Sequence, residues 1–422
     1  MKKMALLFPG QGSQYAGMLR RYLDEASVTG IFEQARSLTG IDFKKLCLEN
    51  VQREALGTDI VQPLIYVASV ALSAYANEHW RPEPAYAAGH SLGEYAALTF
   101  AGSLQFEDGL RIVSERGRLM QQASAGAGPS MAAIHGLNET IVEGICREAS
   151  ELQGTPLVVA CYNTPTQQVI SGDSAALSAA LYLVKAHGGN GMVLPTSGPF
   201  HSELMKPAAE QFRQVLSQYH FSAPSIPVIS NCRGLPFEVS RIHDDLAGQL
   251  TSPVRWNQTL LYLMHNQVST CVEIGPKNVL SSMINKSYPG IKTFAVDWAD
   301  DDQLLSLHLA ERGVDDSAFI SACIKSAVTT PNTNWNESEY MNGVTRPYRV
   351  LQQLSHEAKQ GNRFTEEQIT QALEAILLIW RTKQVDTGEI EVRFSEIVSL
   401  LGEWNAPLLA RFRAKAGIAH GI

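Results

Sequence analysis

The feature that most constrains this chain is the stretch "YAAGHSLGEYAAL", residues 86 to 98. It reads as an apolar strand followed by a helix. Gly89, Ser91 and Gly93 must turn the chain in the few residues between, and glycine permits turns that side chains obstruct. A G-x-S-x-G pattern at a strand-to-helix corner holds the serine hydroxyl out on a strained turn, ready to attack a carbonyl. An ordinary glycine turn with a solvated serine is written with the same letters. The nucleophile reading therefore requires a base, an oxyanion hole and a substrate anchor elsewhere in the chain.

The corner also sets the fold class, α/β. From residue 1 to about 125, short apolar runs ("MALLF", "AYAAGH") alternate with helical patterns such as "IVQPLIYVASVALSAYA". That alternation specifies a parallel sheet flanked by helices. Residues 130 to 196 follow a different rhythm. There "MAAIHG", "PLVVACYN", "QQVISG" and "GMVLPT" read as strands. "NETIVEGICREAS", with Asn138 as N-cap, and "SAALSAALYLVKAHG", stopped by Gly188 and Gly189, read as helices. The order β-α-β-β-α-β is ferredoxin-like, and the segment reads as a small subdomain inserted into the larger one. "IPVISN" and "TCVEIG" then supply further strands to the large subdomain.

Near residue 325 the pattern lapses. "SAVTTPNTNWNESEYMNG" is polar and turn-rich, as a linker or surface strap would be. A helical tail follows. Thr365 and Gln368 form a capping-box pair, and Ile369, Leu373, Ile376, Leu377 and Trp380 recur at helical spacing. "RFSEIVSLLGEW" reads as a second helix. The tail either packs on its own globule or offers a docking helix. The expected divisions are 1–127 and 198–325 for the two parts of the large subdomain, 128–197 for the insert, and 326–422 for linker and helical extension.

Composition excludes several roles. With 422 residues, 45% hydrophobic and 18% charged, the chain has the make-up of a globular protein of two or three domains. A net charge of −8 and no dense Lys/Arg run argue against nucleic acid. The same charge suits an acidic protein partner only where a local basic patch exists. The six cysteines, Cys47, Cys146, Cys161, Cys232, Cys271 and Cys323, have no metal-knuckle or C-x-x-C spacing. They read as reduced thiols of a cytoplasmic protein, and no metal is expected. In "MKKMALLFPG" the apolar run stops at Pro9-Gly10, too soon for a signal peptide, and no run reads as long enough to span a membrane.

The remaining motifs offer companions for Ser91. His90 adjoins it, but adjacent strand residues point to opposite faces, so His90 reads as structural. His201 stands in "TSGPFHSELMKP", a loop that suits an exposed functional imidazole able to take and return the serine proton; a plain surface histidine fits equally. "FPGQGSQY" follows the first strand, and its backbone N–H groups, with that of Leu92, suit an oxyanion hole. A phosphate loop is the rival, though G-K-[ST] and G-x-G-x-x-G are absent here. Arg116 lies in "DGLRIVSERGRLMQQA". On a helix it shares a face with Ile112, Val113, Leu119 and Met120, while Arg111 and Arg118 fall on the other side. A guanidinium on an apolar face must find an anion: an internal acid in a structural pair, or a substrate carboxylate held by paired hydrogen bonds.

Taken together, "FPGQGSQY", "GHSLGEYAAL", "RG..M", "FHS.LM" and "EIGPKNVL" resemble the malonyl-CoA:acyl-carrier-protein transacylase family, over about residues 1 to 300. The family includes the acyltransferase units of polyketide synthases. The resemblance implies an α/β-hydrolase-like core with the ferredoxin-like insert and a ping-pong reaction. Ser91 would be the nucleophile, His201 the base, the Gln11 and Leu92 amides the oxyanion hole, and Arg116 the clamp on the acyl carboxylate. Gln249, in "GQLTSPVRW", matches the position whose carbonyl or amide steers the histidine, and Asn163 matches another pocket position. Phe200 before the histidine matches malonyl-selective members. Pro199 departs from the alanine usual there. No bound cofactor is implied; the substrates are CoA thioesters and the phosphopantetheine thiol of acyl carrier proteins. The C-terminal extension, absent from the housekeeping fatty-acid enzyme, resembles discrete trans-acting acyltransferases of polyketide or hybrid peptide-polyketide assembly lines, such as that of the colibactin pathway. That likeness favours malonyl or aminomalonyl units. A hydrolase that edits stalled chains with the same dyad and a non-catalytic scaffold are the rival functions. Arg116 counts against the hydrolase, since a proofreader of varied monoacyl chains has no use for a buried cation, and the intact Ser91, His201 and Arg116 count against the scaffold.

Overall fold

The computed structural model describes residues 3–49, 56–80, 82–126, 128, 130–195, 198–298, 301–305, 316–359 and 364–401. The chain divides into two compact units, Met1–Leu305 and Ser306–Ile422.

The first unit opens with β1 (Lys3–Phe8), α1 (Ala26–Thr39), α2 (Phe43–Leu48), α3 (Thr58–His79), β2 (Tyr86–Gly89), α4 (Gly93–Phe100) and α5 (Phe106–Ala123). Its middle holds β3 (Met131–His135), α6 (Glu139–Gln153), β4 (Leu157–Thr164), β5 (Gln167–Gly172), α7 (Ser174–Ala186) and β6 (Asn190–Val193). It closes with α8 (Lys206–Leu216), β7 (Val228–Ile229), α9 (Ile242–Gly248), α10 (Trp256–His265), β8 (Val268–Glu273), α11 (Val279–Ser287) and β9 (Lys292–Ala295).

Two separate sheets result. One is parallel, in the order β7-β2-β1-β8-β9. Its central strands are buried on both faces, which is why Met4 to Phe8 read as one apolar run. The order runs outward from β1 in both directions, so the loops after its strands open at one edge, where open α/β sheets place their sites. The other sheet is antiparallel, in the order β4-β5-β3-β6. Asn138 caps α6 by accepting the Ile141 N–H, as its sequence position suggests. Ala132 and Ile134 face the core formed with α6 and α7, and Met131 and Ala133, one step out of phase, face a pocket.

The expectation of no membrane-length apolar segment is amended. Helix α3 is long and apolar enough to cross a bilayer, but 78% of its most apolar window is buried within the protein. Its polar Gln62, Ser69 and Ser73 are buried too, as befits a core helix.

The second unit is helical: α12 (Asp316–Thr329), α13 (Glu337–Tyr340), a π turn at Met341–Thr345, α14 (Arg346–Lys359), α15 (Glu366–Thr382) and α16 (Thr387–Ser399). It corrects two expectations. The division lies at 305/306 rather than 325/326, because α12 puts Phe319, Ile320, Cys323 and Ala327 into this unit's own core. The supposed strap is partly helical, ending α12 and starting α13. The tail does pack on itself: the Thr365–Gln368 capping box is formed, and Ile369, Leu373, Ile376, Leu377 and Trp380 are buried. The end of "RFSEIVSLLGEW" and the joins expected at 127/128 and 197/198 fall on or beside residues outside the described ones.

Candidate active site

Parallel pairing sets Phe8 of β1 opposite Gly89 of β2, so the Gln11 loop and the Ser91 turn leave the sheet side by side. Ser91 stands at φ +52°, a left-handed conformation rare for a residue with a side chain. Its neighbours must be glycine for lack of space. A Cβ on Gly89 would lie 1.9 Å from the Gly93 carbonyl carbon, and one on Gly93 would lie 2.0 Å from the Phe8 carbonyl oxygen. Asn231, just past β7, ties the turn down. Its Oδ1 accepts the Ser91 N–H at 2.6 Å, and its Nδ2 donates to the Gly89 carbonyl at 2.7 Å.

His201 meets this turn from the loop before α8. Its Nε2 lies 2.8 Å from Ser91 Oγ, and its Nδ1 lies 2.8 Å from the backbone carbonyl of Gln249. A carbonyl only accepts, so Nδ1 carries the hydrogen and the Nε2 lone pair faces the serine. The imidazole is not exposed, as the loop's composition suggested, but 5% accessible. Burial, followed by the Arg116 charge, pushes it down to about 3, which keeps it neutral and able to accept a proton. Its backbone is also left-handed, at φ +57°.

Arg116 projects from α5 among Ile112, Val113, Leu119 and Met120, all buried, with Arg111 and Arg118 exposed opposite. It is 1% exposed. Nη1 donates to Gln62 Oε1 at 2.7 Å, and Nη2 donates to Gln249 Oε1 at 2.7 Å and to Ser91 Oγ at 3.2 Å. The Tyr95 ring lies under the guanidinium at 5.7 Å. No carboxylate forms an ion pair with it among the described residues, so the structural salt bridge left open by the sequence is not formed. The partners are neutral and the cation borders the nucleophile.

The remaining expected residues gather at the same place. The Gln11 and Leu92 N–H groups donate no turn or loop hydrogen bond to a described residue, and both residues line the pocket. Gln249 steers His201 with its backbone carbonyl, while its side chain serves Arg116. His90, half-buried as a structural group, holds Asn163 Oδ1 at 2.8 Å through Nε2 and packs against Trp256. Phe200 is 4% exposed and walls the pocket beside His201.

The pocket has a volume of about 220 Å³ and runs from Ser91 and Arg116 to the antiparallel sheet, where Met131, Val169 and Leu194 line it. Strand β4 reaches it through a register irregularity between Val159 and Cys161. Val159 faces the helices of the small core. Past the bulge, Cys161 and Asn163 face the pocket although their parity is unchanged. Sequence reading missed Asn231, Gln62 and Glu94. The first two are single amides with no motif of their own. Glu94 follows the nucleophile motif and resembles an ordinary first-turn acid; it is 1% exposed, and burial pushes its carboxyl up to about 8 against the pull of its hydrogen bonds and Arg116.

A serine on a strand-to-helix corner, a neutral histidine on its hydroxyl and free backbone N–H groups beside it define an acyl-transfer enzyme of the serine–histidine class. Comparison with known proteins gives the family. The model of the acyl transferase domain matches residues 5–306. A malonyl CoA-acyl carrier protein transacylase of Bacillus subtilis is 32% identical over 396 residues, 92% of this chain and 98% of its own. A polyketide biosynthesis malonyl CoA-acyl carrier protein transacylase, BaeC, of Bacillus velezensis is 39% identical over 66% of this chain and 95% of its own. Among solved structures, a malonyl-transacylase in complex with its type II polyketide synthase acyl-carrier protein superposes with a TM-score of 0.69 at 34% identity, over 72% of this chain and 99% of that one. The chain therefore belongs to the acyl transferase family that contains the malonyl-CoA:acyl-carrier-protein transacylases, and it is an acyltransferase.

Proposed function

We propose that the chain moves a malonyl-type unit onto the phosphopantetheine thiol of an acyl carrier protein by way of acyl-Ser91. The observation that carries this reading is Arg116: a buried guanidinium, 3.2 Å from the nucleophile and paired only with neutral groups. A cation in that position discriminates for an acyl group that ends in a carboxylate. Ser91 Oγ attacks the thioester carbonyl and its proton passes to His201 Nε2. The Gln11 and Leu92 N–H groups hold the resulting oxyanion. Collapse expels the first thiol, which takes the proton back from His201, and leaves the acyl-serine ester with its carboxylate on Arg116. The carrier thiol then gives its proton to His201 and repeats the sequence in reverse, regenerating Ser91. No cofactor or metal takes part.

The finer readings belong to the same proposal. The first unit is read as an α/β-hydrolase-like core with a ferredoxin-like insert. The small sheet's spatial order, second-third-first-fourth, supports that description. The enzyme is read as a discrete, trans-acting, cytoplasmic acyltransferase of a polyketide or hybrid peptide-polyketide synthase, supported by its likeness to BaeC. Malonyl-CoA is read as the donor, and an aminomalonyl carrier protein as a further one, on the resemblance to discrete polyketide acyltransferases. Phe200, buried on the pocket wall, is the side chain that would limit a branch at the α carbon.

Intact-protein mass spectrometry tests this. Incubation with malonyl-CoA should leave a malonyl adduct that Ser91→Ala abolishes, and added carrier protein should discharge it. Arg116→Ala should load acetyl about as readily as malonyl. Malonyl preference retained in that variant would sink the clamp, and discharge to water alone would make the protein a hydrolase.

A further inference from the structure

Glu94 is a buried acid that the reaction above does not use. It opens α4, two residues after Leu92, and is 1% exposed. Its two carboxyl oxygens are committed to different partners. Oε1 accepts the backbone N–H of Asn231, and Oε2 accepts a proton of the Gln249 side-chain amide. Both partners are the amides that shape the site. Asn231 holds the Ser91 N–H through its own Oδ1. Gln249 donates a second time, from Nε2 to the Ser91 carbonyl at 3.0 Å, and so presents Oε1 to Arg116 Nη2 at 2.7 Å.

The orientation of that amide decides what Arg116 meets. A primary amide has two donors on one end and an acceptor on the other. With two acceptors, the Glu94 carboxyl and the Ser91 carbonyl, on one side, the nitrogen must face them and the oxygen must face the guanidinium. Turned about, the amide would aim N–H groups at a buried cation and oxygen at two oxygens. Only a carboxylate accepts at both of its ends, and both groups facing Glu94 are N–H donors, so the geometry calls for the ionised form against the upward push of burial. Glutamine, though the same shape, cannot fill the position, because its own NH₂ would oppose either the Asn231 or the Gln249 N–H. Of the charged groups acting on Glu94, Asp245 is a like charge that opposes its ionisation, and Arg116 favours it but forms no ion pair with it among the described residues. Its hydrogen bonds therefore, rather than a salt bridge, give it a task.

We propose that Glu94 is a positioning residue for donor selection: it locks the Gln249 amide with its oxygen toward Arg116, and thereby holds the guanidinium where a donor's carboxylate can reach it. The proposal rests on the reading of Arg116 given above.

The test is acyl loading of the full chain from malonyl-CoA and from acetyl-CoA, each followed by intact mass, with thermal melting as a check of folding. Glu94→Gln should lower the malonyl-to-acetyl loading ratio about tenfold, the scale of losing one hydrogen bond to a charged group. Glu94→Asp, which keeps a carboxyl but reaches less far, should fall between the two. In a Gln249→Leu background, Glu94→Gln should change the ratio less than about twofold, because both changes remove the same link. A folded Glu94→Gln chain as selective as the parent overturns the role of Glu94 and leaves the Arg116 reading intact, as do additive effects with Gln249→Leu. A parent chain that loads acetyl as readily as malonyl overturns both. If neither Glu94 variant folds, the residue serves folding and the proposal fails.

Discussion

Two residues of the site, Ser91 and His201, hold left-handed backbone conformations, which cost about 1–3 kcal/mol each for residues with side chains. The cost persists because several bonds over-determine each residue: Asn231 and the flanking glycines for one, the Gln249 carbonyl for the other. The sequence announces Ser91 through its glycines, but His201 has no such flag, and its burial was not legible because the groups that cover it come from distant segments. Arg116 was legible, since helical periodicity alone put it on an apolar face. Its pairing was not, because periodicity says which way a side chain points and nothing about what it meets. The buried imidazole yields a prediction. An ordinary histidine titrates near 6.5, and this one is pushed down to about 3. The folded chain thus binds fewer protons than the unfolded one between those values. This group's contribution to stability is present above about 6.5 and is lost as pH falls toward 3. The rate of Ser91 acylation should accordingly show no inflection near 6.5. A kcat/KM profile for malonyl loading checks this, and a clear fall centred there would mean that His201 titrates as it does in water.

At the scale of elements, the strand–turn–helix unit β2–α4 was readable because local sequence and tertiary packing ask for the same residues. Gly93 shows how little tolerance remains. Alanine there would press on the Phe8 carbonyl at 2.0 Å and should destabilise the fold by roughly 3 kcal/mol through overpacking. Gly144 in α6 has open space around its Cβ position, and alanine there should stabilise by about 0.5–1 kcal/mol through helix propensity. Urea unfolding of the two variants measures the contrast; equal effects would refute the steric account. The bulge in β4 was illegible in the sequence, since alternation alone cannot tell Cys161 from Val159. So was the helical part of 326–343: its polar letters resemble a loop, yet Asn336 accepts the Glu339 N–H and starts a helix.

At the scale of the whole molecule, each unit carries its own apolar core, and every residue named in the site lies within Met1–Leu305. The family match ends at residue 306, at the structural division. A chain cut to residues 1–305 should therefore keep the malonyl adduct on Ser91, with its loading rate within about threefold of the full chain and its own cooperative melting transition. Loss of the adduct from a folded truncation would show that the second unit contributes to acylation. The match to the Bacillus subtilis transacylase covers 92% of this chain, so it extends into the sequence of the second unit. The sequence placed the division twenty residues late because it weighed polarity over the core positions of α12.

The irregularity between Val159 and Cys161 ties the lining of the chamber to strand length. Chamber width in this scaffold is governed by a count of residues as well as by their bulk. Dropping one residue from that strand would rotate Cys161 and Asn163 out of the lining together and strip His90 of its partner. The length of β4 at the bulge, as well as the identity of its residues, therefore decides which side chains meet the cargo.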